Sequence, residues 1–276
     1  MADQPRILLN TGASMPQLGF GVFQVTPDEV EKAVATALET GYRSIDTAAM
    51  YQNEEGVGRA IVSSGIPRKD IFLTTKLDNA AHKAGDVEKA FDASLTKLGV
   101  SYLDLYLIHW PLPKTDRYVE VWREMEKLHS DGRTRAIGVS NFQTSHLRRL
   151  LDAATVAPAV NQIELHPYLT QEPLRTFHRR HHIATEAWSP IGRGGELLRD
   201  PIITAIAEKY AVTPAQIVIR WHLQLDNIVI PRSVTPERIR ENFDVFGFEL
   251  DPDDIDAISA LNRNQRIGPD PDDFEG

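Results

Sequence analysis

The chain has 276 residues, of which 42% are hydrophobic and 25% charged, with a formal net charge of -9 and no cysteine. Such a composition supplies ample core material and excludes a disordered chain, while the missing cysteine excludes disulfides, thiolate zinc sites and a cysteine nucleophile. An acidic balance without a long Lys/Arg block argues against a nucleic acid or an anionic membrane surface as partner.

The opening residues, Met1 to Pro5, lack the basic and apolar regions of a signal peptide. No stretch approaches the roughly 18 uninterrupted apolar residues of a membrane span, so a cytoplasmic location is expected. Next comes a small hairpin, 6–10 and 13–16 about Thr11-Gly12, placed to plug the bottom of whatever follows. Eight short apolar runs then read as strands: 17–20, 43–46, 71–76, 103–109, 135–140, 159–162, 183–188 and 227–230. Helix signals lie between them, such as Pro27-Asp28-Glu29 opening a run that closes at Gly41.

Strand then helix, repeated in this way, means a parallel sheet. A doubly wound dinucleotide fold would carry G-x-G-x-x-G after a strand. Here Gly19-Phe20-Gly21 is followed three places on by Gln24, and Gly56-Val57-Gly58 by Ile61 inside a helical segment. The expected fold is therefore a closed (β/α)8 TIM barrel, with residues 1–276 as one domain. Barrel active sites lie at the C-terminal ends of the strands.

At those ends stand Asp46, with Tyr51 five residues on, Lys76 and His109. Singly, each has a structural reading as cap or core residue. Together they supply what carbonyl reduction requires, a proton donor and a means of making it acidic. Tyr51 is the natural donor, and a nearby Lys76 ammonium is expected to lower its phenol pKa while Asp46 keeps Lys76 charged. His109 is placed to orient the carbonyl oxygen and stabilise its developing charge.

These residues sit in stretches that resemble the aldo-keto reductase family: 41–51 (GYRSIDTAAMY), Lys76, 105–111 (LYLIHWP), 138–142 (GVSNF) and 161–167 (NQIELHP). The prokaryotic branch with 2,5-diketo-D-gluconate reductases is especially similar, through 53–58 (NEEGVG) and 214–222 (PAQIVIRWH). The resemblance runs nearly end to end. It implies Asp46, Tyr51, Lys76 and His109 as a catalytic tetrad, NADPH/NADP+ as cofactor, a small carbonyl compound as substrate and a monomer. It also places Ser140, Asn141 and Gln162 at the nicotinamide carboxamide, Trp188 against the ring and Ser189 in the pyrophosphate loop.

Arg232, Ser233 and Arg238 lie at a turn and helix start suited to an adenosine 2′-phosphate, and the resemblance implies Glu241 and Asn242 at the adenine edge. Relatives commonly have lysine in place of Arg232. Phe23 and Trp110 are expected as apolar walls of the substrate site. Asp78, where relatives often have Trp, should make its side more polar and less welcoming to anions. A short loop after Trp110 and a short tail after Asn262 suggest an open site that accepts many aldehydes and ketones.

Competing readings are weaker. His178, His181 and His182 lie at near-helical spacing but without H-E-x-x-H, and are expected at a solvated helix end, so no metal is assigned. The segment 138–142 lacks the second Gly of a nucleophile elbow. Lys76 as a Schiff-base residue conflicts with its pairing to Asp46. A cofactor-binding regulatory or structural barrel without turnover is the alternative function.

Overall fold

The computed structural model describes residues 4–83 and 85–276. β1 (Arg6–Leu8) and β2 (Ser14–Pro16) pair antiparallel as the predicted hairpin. Eight parallel strands follow: β3 (Phe20–Gly21), β4 (Ser44–Asp46), β5 (Phe72–Leu77), β6 (Leu105–Ile108), β7 (Ile137–Ser140), β8 (Val160–Glu164), β9 (Ala184–Trp188) and β10 (Ile228–Val229). The seam between first and last is closed by Gly19 N–H donating to Val229 O at 2.8 Å and Val229 N–H to Gln17 O at 2.9 Å. The fold is a (β/α)8 barrel.

Most strands fall within two residues of their apolar runs. The first differs: Leu18 makes a single bridge to Val229, and pairing with β4 begins only at Phe20. Residues 17–19 belong to the seam because Gly19 has Ser44 and Ile230 side chains 3.1 Å from where its Cβ would lie, and only glycine admits that approach at no cost.

The helices are α1 (Pro27–Thr40), α2 (Glu54–Ser63), α3 (Val87–Leu98), α4 (Tyr118–Ser130), α5 (Thr144–Ala153), α6 (Glu172–Arg180), α7 (Pro201–Tyr210), α8 (Pro214–Gln224), α9 (Pro236–Phe243) and α10 (Pro252–Ser259). Local signals set their ends. α1 starts on Pro27, whose missing N–H costs nothing there, and α8 begins with a capping box between Thr213 and Gln216. Among the described residues no single helix is long and apolar enough to cross a membrane.

Two apolar clusters hold the barrel. The larger lies between strands and helices and includes Trp122 and Trp221, both fully buried. The smaller fills the barrel bottom, where Leu9 and Met15 of the hairpin region meet Phe72, Leu105, Leu107, Val160 and Ile228. Each such aliphatic side chain contributes about 1.5–3 kcal/mol on burial, so the hairpin is a packed plug. Above it the interior turns polar, and there the chemistry-bearing side chains collect.

His178 corrects the sequence reading. It is fully buried at the end of α6, accepting at Nε2 from Asn161 Nδ2 (2.9 Å) and meeting Thr185 Oγ1 through Nδ1 (2.9 Å), while His181 and His182 are exposed. The near-helical spacing concealed that one imidazole faces the barrel.

Candidate active site

β4 and β5 pair with Asp46 opposite Thr74, which carries Lys76 one inward position further up. Lys76 Nζ donates to Asp46 Oδ1 (2.6 Å), to Thr47 O (3.0 Å) and to the Tyr51 hydroxyl (3.4 Å). Its three protons are thus committed. Tyr51 reaches the lysine from a single 3-10 turn, Ala49–Tyr51, directly after β4. His109 follows β6 and meets the Tyr51 ring edge-on, with centroids 5.6 Å apart. Four residues separated in sequence converge as expected.

Their electrostatics depart from expectation at one point. Burial raises the Tyr51 pKa, and the Lys76 charge, which works the other way, is too small to reverse it. The phenol is held protonated rather than made more acidic, because the hydroxyl lies where a phenolate would lose its water. For Lys76 burial disfavours the ammonium, but the Asp46 charge and hydrogen bond lead the effects that outweigh it, and the pKa rises. Burial, aided by the Lys76 charge, takes His109 well below the ordinary imidazole value, so it is neutral at physiological pH. Its Nδ1 is buried without a hydrogen-bond partner.

The ends of β7, β8 and β9 form the other half of the site. Gln162 Nε2 donates to Asp46 Oδ2 (2.8 Å), across the barrel from β8 to β4, and to Glu186 Oε2 (2.9 Å) on β9. Both amide hydrogens are spent, which leaves Oε1 as the atom this side chain can offer a ligand. Ser140 Oγ donates to Gln162 O (2.9 Å), and Asn141 Nδ2 donates to His109 O (3.0 Å) and Ser140 Oγ (3.1 Å). Asn141 Oδ1 in turn accepts from Trp188 Nε1 (2.8 Å), fixing the indole plane at the end of β9. Ser189 follows in a left-handed conformation, φ 49°.

Beyond β10, Arg232 and Arg238 are exposed, and Arg232 donates to Phe23 O (3.0 Å), tying this turn to a proposed pocket wall. Ser233 Oγ accepts from Thr235 N–H (3.1 Å) ahead of α9. Glu241 accepts from Thr213 Oγ1 (2.8 Å), and Asn242 is buried beside it in α9. The Phe23 ring, expected as an apolar wall, lies 5.1 Å from that of Tyr51. Asp78 caps the 3-10 turn Asn79–Ala81 by accepting from Ala80 N–H (2.9 Å), a structural use that the sequence did not disclose. Trp110 is 9% exposed because Phe274 packs on it, centroids 4.2 Å apart.

The aldo/keto reductase family profile matches residues 16–263. The chain belongs to this family. An aldo-keto reductase of Mycolicibacterium smegmatis is 56% identical over 270 residues, covering 98% of each chain. Methylglyoxal reductase DkgA of Escherichia coli K12 is 51% identical over 277 residues, covering 100% of each. Among solved structures, a point mutant of Gox0644 in complex with NADPH superposes with a TM-score of 0.94 at 48% identity, covering 99% of each chain.

Within this aldo/keto reductase, three features escaped the sequence reading. The tail is short but not loose: Ile267 and Gly268 N–H donate to the Glu164 carboxylate (2.5 and 2.8 Å), and a Cβ on Gly268 would lie 2.6 Å from Trp188 Cη2. Phe274 of the same tail packs on Trp110. His82 is buried after β5, both ring nitrogens without a partner among the described residues, and burial lowers its pKa to about 4. Glu186 is fully buried, and burial together with the Asp46 charge pushes its carboxyl up to about 8. Its signal was available: a Glu two places before Trp188, in a strand with no other charged residue.

Proposed function

We propose that the protein reduces the carbonyl of small substrates to an alcohol with NADPH, through Asp46, Tyr51, Lys76 and His109. The observation that carries this is the unbroken contact from Asp46 to Lys76 to the Tyr51 hydroxyl, with neutral His109 beside the phenol.

NADPH supplies the hydride that reaches the carbonyl carbon. Tyr51 O–H gives its proton to the oxygen as the carbon–oxygen π bond breaks, and the phenolate left behind faces the Lys76 ammonium. That ammonium does its work when charge develops, since burial otherwise keeps the phenol intact. A neutral His109 can donate one N–H to the same oxygen.

The residues suit the cofactor. Gln162 Oε1 is an acceptor for the carboxamide N–H2, Ser140 and Asn141 flank it, and Trp188 offers a plane held by Asn141. Ser189 would lie against the pyrophosphate. The exposed Arg232 and Arg238, with Ser233, suit the 2′-phosphate, and Glu241 and Asn242 the adenine edge. Phe23, Asp78 and Trp110 border the substrate. The Asp78 charge disfavours carboxylated compounds, and relatives are named as methylglyoxal reductases, so a small neutral dicarbonyl such as methylglyoxal is the proposed substrate class. The same reading takes residues 1–276 as one domain acting as a cytoplasmic monomer.

The test follows NADPH absorbance with methylglyoxal for the wild type and Tyr51→Phe. A loss of roughly 10²–10⁴ in turnover with cofactor binding retained supports the assignment. A wild type that binds NADPH and reduces no carbonyl would instead favour a regulatory barrel.

A further inference from the structure

Glu186 has no part in the chemistry above, yet it is joined to it. It is paired in register with Gln162 on β8 and with Ile228 on β10. From Glu186 Oε2 the path runs to Gln162 Nε2 (2.9 Å), to Asp46 Oδ2 (2.8 Å), and from Asp46 Oδ1 to Lys76 Nζ (2.6 Å). Its other oxygen, Oε1, is buried without a partner among the described residues. A barrel interior that keeps two carboxyl groups on one amide, opposite a single ammonium, holds one acid more than it can neutralise.

We propose that Glu186 is a positioning residue whose carboxyl, acting through Gln162 and by its own charge, weighs NADP+ against NADPH at the nicotinamide site. This rests on the cofactor reading above. Glu186 and Trp188 are two apart on one strand and face the same way, which spaces their Cα atoms about 7 Å along it. The ring is cationic in NADP+ and neutral in NADPH, so a negative charge on this side of the site favours only the oxidised form. The commitment of both Gln162 hydrogens to carboxyl groups also fixes which end of its amide meets the cofactor.

The surroundings leave Glu186 as the group of this network that changes charge near neutral pH. Asp46 and Lys76 face Glu186 across the barrel, Tyr51 lies beyond Lys76, and Gln162 and Ile228 flank it without titrating. Tyr51 and Lys76 are raised above their ordinary alkaline values, and His109 is lowered well below its own. Glu186, raised to about 8, is left to change charge between pH 6.5 and 9. The 2′-phosphate ionises near 6 but is common to both cofactors and cancels in their ratio.

The experiment measures dissociation constants of NADP+ and NADPH by fluorescence from pH 6.5 to 9, for the wild type and Glu186→Gln. In the wild type the ratio Kd(NADP+)/Kd(NADPH) should fall about tenfold as pH rises, and in Glu186→Gln it should stay level. A role in packing alone would weaken both cofactors together at every pH. A level ratio in the wild type, or an unchanged slope in the variant, overturns the proposal. A level wild-type ratio overturns the proposal even if the variant fails to fold. Absence of NADPH binding by the wild type would instead overturn the cofactor reading.

Discussion

The Trp188 indole donates to Asn141 Oδ1 at 2.8 Å, joining the end of β9 to the end of β7. Asn141 is itself tied to His109 O and Ser140 Oγ, so the orientation of the plane proposed for the nicotinamide depends on the loop that carries the imidazole. Trp188→Phe keeps an aromatic face and removes the donor. NADPH should bind about 2–10-fold more weakly, the worth of one neutral hydrogen bond, with little change in thermal stability. Unaltered affinity in a cofactor titration would show that the bond does not orient the site.

The tail makes a second prediction. Phe274 packs on Trp110, and Glu275 accepts from Lys114 N–H (3.2 Å), so the last residues form a wall against a proposed substrate surface. Phe274→Ala vacates that position, which a substrate phenyl group can then take. Relative kcat/KM for phenylglyoxal over methylglyoxal should rise about 3–10-fold, in keeping with an aromatic pair worth about 0.5–1.5 kcal/mol. An unchanged ratio would mean that Phe274 does not border the substrate.

Acid should destabilise the fold through its buried histidines. Burial lowers His178 and His222 to about 3 and His82 to about 4, against about 6.5 in an unfolded chain. Above pH 6.5 both states leave these rings neutral. Below it the unfolded state takes up protons that the folded state refuses, so stability falls until pH reaches the folded values. Each ring contributes a slope of about 1.4 kcal/mol per pH unit. For His178 the geometry agrees, since Nε2 already accepts from Asn161 and a proton there would face another donor. Urea unfolding at pH 7.5 and 5.0 should show the loss, and His178→Gln should make it shallower by one proton. Glu186, raised to about 8, works in the opposite direction over this range and offsets part of the loss, so the account fails if His178→Gln leaves the pH dependence unchanged.

How much of this was legible beforehand follows from what each signal depends on. Strand positions and the strand-end residues Asp46, Lys76 and His109 depend on local pattern and the geometry of a closed barrel, and both were readable. The Gln162–Asp46 bond crosses the barrel between residues 116 apart, a distance no local pattern records. The protonated state of Tyr51 turned on burial outweighing a neighbouring charge, which depends on how deeply the hydroxyl sits. His178 looked like part of a solvated His/Arg run because helical spacing gives neighbours without giving the face. The docking of the tail was not legible because the Glu164 carboxylate that receives its amides lies about a hundred residues away.

The seam between Gly19 and Val229 has a consequence for how the molecule is made. The second strand of the barrel and the turn after it, with Asp46 and Tyr51, leave the ribosome early, but their partner across the barrel, Gln162, and the closing strand come far later. Such long-range pairing makes for slow, high-contact-order folding. Until residue 229 has emerged, the first barrel strand has an unpaired edge and the acidic interior has no wall on one side. A nascent or truncated chain is therefore an aggregation hazard rather than a partial enzyme.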